Sequence, residues 1–439
     1  MTADVRSYLD FQKHVIFATC KDLLMFYFRN YFLGAYLNEK NMESINEEYI
    51  TKILECVVFE CKIEKWKYKK ETFLNIAQNY FGVIIPISLI GHNIEGEVVL
   101  NLVLKLAPTD ERYRVSGAVT IFFAKEIFVY SSVLPKYQDI QNNITTLSGF
   151  VVPKCFCINN DYCMEVIVMQ NMCTEGYHPF TKDIFLDIEH LLLSVKCLAQ
   201  FHALSFILRE QDTALYESAK STCVPLHRES NKRFLDILKD RLNKGFVKFS
   251  NTQYAALFQT LDKDCENIVE AMYKSVNETC LCHGDIWKEN LLFKYMDGHP
   301  ISVCMIDYQT TRMSSPAFDI LYLIITATTS HFRRQHFKQL LDTYFQTLEE
   351  ILREANVSSI TYSRQMFEED LRIVGPACFC IANTAIWLSS GLQQEGHVRS
   401  KIILDTEQKR ELATNQYKTR IKNIIDDLNT YGYLNVAMS

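Results

Sequence analysis

Three oxygen-bearing side chains lie within one short stretch and have the types and order needed to hold a metal-bound nucleotide. The segment from Leu281 to Asp319 carries His283, Gly284 and Asp285, then Asn290, then Asp307, which opens Asp307-Tyr308-Gln309. In an arrangement H-G-D-x-x-x-x-N followed by an apolar strand ending in Asp, the first carboxylate can accept or orient the proton of an attacking hydroxyl. The amide oxygen and the second carboxylate can hold Mg²⁺ against phosphates. Hard oxygen donors of this kind suit magnesium and do not suit zinc.

Those residues need elements that bring them together. Leu291, Leu292 and Phe293 follow Asn290 directly, and Asp297-Gly298 is a strong two-residue hairpin signal. Beyond it Ile301, Val303, Cys304, Met305 and Ile306 read as a buried strand that ends at Asp307. The hairpin would fold Asp307 back beside Asp285 and Asn290. The bland alternative is a hairpin with solvated polar residues at one end, which asks residue types, spacing and context to coincide by accident.

Upstream, Val98 to Leu106 reads as a strand apolar on both faces, with Val99, Asn101, Val103 and Lys105 sharing one face. A lysine near the end of so apolar a strand needs a partner or a ligand. Glu126 is the candidate. It recurs at helical spacing with Phe122, Phe123, Ile127 and Tyr130, so its carboxylate lies on an apolar stripe. Taken alone, a strand-end lysine and a helix glutamate would be unremarkable.

Together these segments resemble the ecdysteroid kinase-like family, also described as CHK kinase-like. Its members are relatives of the aminoglycoside phosphotransferases and choline kinases and share the protein-kinase fold. The family pattern H-G-D-x-W-x-x-N, then D-[FY]-Q, is met by His283, Gly284, Asp285, Trp287 and Asn290, then Asp307, Tyr308 and Gln309. A helix pattern F-x-x-E-x-x-x-Y leading to L-P is met by Phe123, Glu126, Tyr130, Leu134 and Pro135, and LA-x-x-HA by Leu198, Ala199, His202 and Ala203. The similarity runs from near Ile45 to near Arg420.

The resemblance implies an α+β, bilobal protein-kinase-like fold: an N-terminal lobe of antiparallel sheet plus helix, and a mainly helical C-terminal lobe. The expected division is a helical extension over 1–45, a nucleotide-binding lobe over 46–172 and a catalytic and acceptor-binding lobe over 173–439. By resemblance Asp285 is the catalytic base, Asn290 and Asp307 are the Mg²⁺ ligands, Lys105 contacts the α/β-phosphates and Glu126 holds Lys105. Met169 and Asn171 lie at the hinge that receives adenine, and His283 and Asp319 support the loop. ATP and Mg²⁺ are the implied cofactors. A hydroxylated apolar small molecule, such as a steroid or a xenobiotic metabolite in detoxification, is the implied acceptor. Two departures stand out. No G-x-G-x-x-G precedes Lys105, the nearest candidate being Asn79-Tyr80-Phe81-Gly82. Gln170 and Asn171 stand where relatives carry an acidic pair.

Composition is consistent with a two-lobed enzyme. A chain of 439 residues exceeds the usual single core, and 48% hydrophobic and 12% aromatic content supply material for two. A net charge of −6 argues against a general nucleic-acid binder, and the basic stretch Lys62 to Lys70 reads as a solvated face. The 15 cysteines are odd in number and scattered, and Cys155/Cys157 and Cys378/Cys380 are C-x-C pairs, not the paired C-x-x-C of a zinc site. A reduced, cytoplasmic compartment and a monomer with no membrane partner are the expectation. The start of the chain has no signal-peptide core, and the apolar run Ile320 to Thr326 near the site is too short to span a bilayer.

The rest of the second lobe reads as helices: Ile184 to Leu208, the segment Cys378 to Trp387 and a final stripe of Ile421, Ile424, Ile425 and Leu428. His202 reads as a satisfied core histidine, and Cys378 to Trp387 as core or as a wall for an apolar acceptor. Two rivals to a kinase for an apolar acceptor remain. One is a pseudokinase that binds an apolar ligand. The other is a choline- or aminoglycoside-type kinase, which would line its acceptor pocket with acids.

Overall fold

The computed structural model describes residues 47–72, 82–394 and 402–434. The expected extension over 1–45, and Asn79 to Phe81 of the reduced phosphate loop, lie outside them. The chain separates into residues 1–52 and 53–439. Of the first unit the described part is the opening of helix α1 (Glu47–Glu60), with Glu47 and Glu48 in the first turn, where the helix dipole favours carboxylates.

In the second unit, strands β1 (Glu64–Lys70), β2 (Val83–Asn93), β3 (Gly96–Leu106), β4 (Cys155–Asn159) and β5 (Val166–Gln170) form an antiparallel sheet in the order β1-β2-β3-β5-β4. The lysine-rich stretch is the exposed edge strand β1, where charge discourages pairing with another chain. Pairing of Lys105 with Ile167 and of Val103 with Met169 puts these four on one face of the sheet. Helices α2 (Glu111–Gly117), α3 (Val119–Phe128) and α4 (Leu134–Gln141) follow β3, with a π-helical turn at Val129–Val133. Phe123, Glu126, Ile127 and Tyr130 are buried as the stripe predicts, whereas Phe122 lies to its side and is half-exposed.

After a short strand β6 (Tyr177–Pro179), the chain is mainly helical: α5 (Ile188–Gln211), α6 (Thr213–Thr222), α7 (Arg228–Phe249), α8 (Ala255–Lys263) and α9 (Cys265–Lys274). The helix predicted from Ile184 begins instead at Ile188. Asp187 caps it, its Oδ1 accepting from His190 N at 3.1 Å. The preceding residues are held elsewhere: Leu186 N donates to Ala327 O at 3.0 Å, and Lys288 Nζ to Phe180 O and Asp183 O at 3.2 Å.

Strand β7 (Cys280–Cys282) leads into the H-G-D loop. Strands β8 (Leu291–Met296) and β9 (His299–Met305) form the predicted hairpin, with Asp297 and Gly298 both at positive φ (51° and 84°), the signature of its tight turn. Strand β10 (Arg312–Ser314) pairs with β7. Helices α10 (Pro316–Ala327), α11 (Ser330–Glu354), α12 (Arg364–Ser389) and α13 (Glu407–Thr430) complete the lobe. The Cys378 to Trp387 segment is core within α12, and Ile421, Ile424, Ile425 and Leu428 are buried on α13. Helices α5 and α12 are long and apolar enough to cross a membrane by length and composition, but most of their residues are buried within the protein.

Candidate active site

The sheet and the C-terminal lobe meet at Lys105. Its Nζ lies 2.6 Å from Glu126 Oε2 on α3 and 2.7 Å from Asp307 Oδ1 at the end of β9, and the ammonium is almost fully buried. The bond to Asp307 is an aligned hydrogen bond; the approach to Glu126 is a charge contact. Burial alone would lower the Lys105 pKa, but the Asp307 and Glu126 carboxylates more than offset it and the group stays a cation. Burial lifts the Glu126 carboxyl above its ordinary value, and Lys105 draws it back. Asp307 adopts a left-handed conformation (φ 69°), and Tyr308 beside it is fully buried, edge-on to Tyr130 at 5.5 Å and 5.1 Å from the His283 ring.

The H-G-D loop is fixed by backbone contacts. Asp319, fully buried on α10, accepts from His283 N at 2.6 Å and from Gly284 N at 3.0 Å. His283 Nε2 donates to Ile306 O at 2.9 Å, and its Nδ1 accepts from Asp285 N at 3.4 Å, so the ring is neutral. Burial holds its pKa below the ordinary value. Thr310 Oγ1 donates to His283 O at 3.0 Å. Gly284 has φ +83°, and a Cβ there would lie 2.3 Å from Arg312 Nη1 and 2.4 Å from Thr310 O, so this position requires glycine.

Asn290 Nδ2 donates to Asp285 O at 2.8 Å, and Ile306 N donates to Asn290 O at 3.1 Å. These two bonds tie the loop to the end of β9, where Asp307 stands. The three predicted oxygen donors are thereby brought together. The Asn290 amide N–H is turned to the loop, and Asp307 Oδ2 has a long contact with Gln309 Nε2 at 3.5 Å. An amide oxygen and a carboxylate oxygen so placed fit a hard divalent cation. Burial and the neighbouring Asp307 charge push the Asp285 carboxyl up to about 7, while Tyr322 and Arg312 pull the other way.

The hinge residues are placed differently. Met169 lies in β5 between β3 and β4, its side chain on the face that carries Lys105. Asn171 donates its N–H to Asn101 O (2.9 Å). Its C=O accepts from Thr174 N and Oγ1 (3.1 and 2.7 Å), and its Oδ1 accepts from Cys173 N (3.1 Å). Its backbone is committed within the protein, and the residue shapes the turn that leaves the sheet.

Two side chains that sequence reasoning did not place at the site reach the loop, and a third holds the aspartate that braces it. Tyr322 hydroxyl donates to Asp285 Oδ1 at 3.0 Å, and Arg312 Nη1 donates to Gly284 O at 2.9 Å. His202, read as a core histidine, bonds Asp319 Oδ2 through Nε2 at 3.2 Å and Tyr344 hydroxyl through Nδ1 at 2.7 Å. The LA-x-x-HA motif signalled His202; Tyr322 and Arg312 had no local signal.

Among solved structures, an ethanolamine kinase from Plasmodium vivax matches over 92% of this chain and 96% of its own, at 13% identity and TM-score 0.46. The GDP complex of wild-type aminoglycoside 2'-phosphotransferase-IIIa matches over 87% and 99%, at 12% identity and TM-score 0.38. A glucosamine kinase matches over 86% and 80%, at 10% identity and TM-score 0.36. No curated protein matches the chain. The model of the ecdysteroid kinase-like family matches residues 76–357, a stretch that includes Lys105, Glu126, the H-G-D loop, Asp307 and Asp319. With that match over well more than half its length, the chain belongs to the ecdysteroid kinase-like family and has the scaffold of a small-molecule kinase.

Proposed function

We propose that this protein transfers the γ-phosphoryl group of ATP to a hydroxyl of an apolar small molecule, an ecdysteroid or a xenobiotic metabolite, acting as a monomer in the cytoplasm. The observation that carries the reading is the convergence of Lys105, Glu126 and Asp307 with the Asp285–Asn290 loop. In this reading the acceptor oxygen forms a bond to the γ-phosphorus as the bond to the β–γ bridging oxygen breaks, and ADP leaves. Asp285 orients the hydroxyl and takes its proton. Lys105, held by Glu126, aligns the phosphates. Met169, on the Lys105 face of the sheet, would lie against the adenine, and Asn171 keeps the hinge in shape. Asn290 and Asp307 would hold Mg²⁺, which when bound supplies charge neutralisation on the phosphates. His283 and Asp319 keep the loop in place.

The test is ATP consumption with Mg²⁺ against ecdysteroids, plant phenolics and amino alcohols, with Asp285→Asn as control. Turnover confined to ecdysteroids or phenolics supports the reading. Turnover confined to amino alcohols overturns the acceptor class, and an Asp285→Asn variant as active as wild type overturns the base.

A further inference from the structure

The carboxyl group of Asp285 must be aimed as well as present. Rotation of a carboxylate about its last bond is soft, so a neighbouring donor decides where its two oxygens point. The H-G-D backbone contacts fix the peptide and leave this rotation open. The structure holds one oxygen by another route. Tyr322, fully buried on α10, donates its hydroxyl to Asp285 Oδ1 at 3.0 Å. Helix α10 is apolar almost throughout, and a buried hydroxyl on such a helix is costly unless bonded. Burial keeps this phenol protonated, so it remains a donor.

The tyrosine is itself held. Its ring stacks on Phe318, one helical turn earlier, at 5.5 Å and 13°. The guanidinium of Arg312 lies over the other partner in the stack, with Cζ 4.6 Å from the Phe318 ring centre. Arg312 Nη1 then donates to Gly284 O, the carbonyl just before Asp285, at 2.9 Å, and to Thr310 O at 3.3 Å. The contacts close a circuit: Gly284 carbonyl, Arg312, Phe318, Tyr322, Asp285 carboxyl. Both ends of the circuit lie on adjacent residues of the loop, so a shift of α10 or β10 would move peptide and carboxyl together.

We propose that Tyr322, backed by the Phe318–Arg312 stack, is a positioning residue that fixes one oxygen of Asp285 and turns the other toward the acceptor hydroxyl. The proposal rests on the reading of Asp285 as the base. It adds three residues of β10 and α10 to the machinery and makes the acceptor side of the site a product of their packing.

The experiment compares Tyr322→Phe, Asp285→Asn and the double variant in Mg²⁺-dependent ATP hydrolysis, in which water takes the place of the acceptor. Rates are taken at a temperature where circular dichroism shows each protein fully folded. Tyr322→Phe is expected to lower kcat roughly tenfold or more, the scale of a misaimed catalytic group, with KM for ATP within about twofold of wild type. The double variant should be no slower than Asp285→Asn alone, because Tyr322 acts through that carboxylate. Arg312→Lys keeps the charge but loses the planar fork, and is expected to lower kcat in the same sense with KM for ATP unchanged. A Tyr322→Phe enzyme with wild-type kcat, beside an impaired Asp285→Asn, overturns this proposal alone. So does a double variant whose losses multiply. Full activity in Asp285→Asn overturns the base assignment and this proposal with it.

Discussion

The two sides of the candidate site are held by opposite means. On the phosphate side, one buried ammonium joins two carboxylates from different elements, Glu126 on α3 and Asp307 after β9. On the proposed acceptor side, the loop is held by a buried carboxylate that accepts from two backbone amides and is itself bonded to an imidazole, and by a guanidinium on a carbonyl. A side-chain ion cluster can exchange partners when phosphates and a cation arrive, and its desolvation cost is partly unrecovered until they do. Backbone bonds to a fixed carboxylate cannot exchange without breaking the loop. On the proposed reading, the phosphate side would be completed by its ligand, whereas the acceptor side would stand complete beforehand.

The comparison is broken most directly at Asp307. Asp307→Ala removes one arm of the ion cluster and a proposed metal ligand together. It is expected to abolish turnover and to remove the Mg²⁺-dependent rise in melting temperature on adding ATP. An undiminished Mg²⁺-dependent shift would reject the metal role. Lys105→Met comes next. Truncating one member of a buried ion group leaves uncompensated charge, at about 3–5 kcal/mol of stability. Added Glu126→Gln should recover much of that stability and none of the lost kcat/KM for ATP. If activity returns along with stability, the cation is structural and the contrast between the two sides disappears.

Gly284→Ala tests the acceptor side by sterics alone. With φ at +83° and both Arg312 Nη1 and Thr310 O inside 2.5 Å of a built Cβ, the loop must open to admit a methyl group. A loss of about 2–4 kcal/mol in chemical denaturation is expected, the range of overpacking combined with backbone strain. A near-neutral result would mean the loop is looser than its bonds indicate.

Much of this was legible because it is local. The H-G-D loop, its asparagine and the hairpin to Asp307 are written in neighbouring residues, and the turn at Asp297-Gly298 has one chemical solution. Lys105 and Glu126 were legible as polar residues on otherwise apolar elements, which demand each other. What was hidden is tertiary. Tyr322 stands in a helix so apolar that its hydroxyl looks incidental until Asp285 is seen beside it. Arg312 carried no periodic signal, and its place is set by a glycine distant in the chain. The start of α5 was misjudged because Ile184 and Phe185 continue the apolar period, while the Asp187 cap and the bond from Leu186 to Ala327 end the helix. At the hinge, the bonds of the Asn171 backbone to Asn101 and Thr174 carried no sequence signal.

The smallest expected effect separates the two sides by pH. His202 is fully buried, with Asp319, Tyr344, Cys280 and Cys282 about it. Burial alone would lower its pKa, but its contacts with Cys282 and with the Asp319 carboxylate raise it to about 9. Cys282 gives its hydrogen to Ser314 O and Ser315 O, and burial holds its thiol well above the ordinary value, so Asp319 is the anion present at neutral pH. A histidine whose folded pKa exceeds its unfolded value adds stability that is complete below the unfolded pKa and is lost as pH rises through the folded one. With Cys282 neutral, Asp319 carries the rise, so wild type should weaken as pH climbs from about 6.5 toward about 9, by less than the whole shift would give. His202→Gln keeps a donor for Asp319 and cannot titrate, so its chemical-denaturation midpoint should be flatter across that window. Burial lifts Glu126 on the other side to about 7, inside the same window, so the difference between wild type and His202→Gln, and not the wild-type slope alone, reports on the brace. Equal slopes in wild type and His202→Gln would show that the acceptor-side brace is neutral, and that its rigidity comes from the backbone bonds alone.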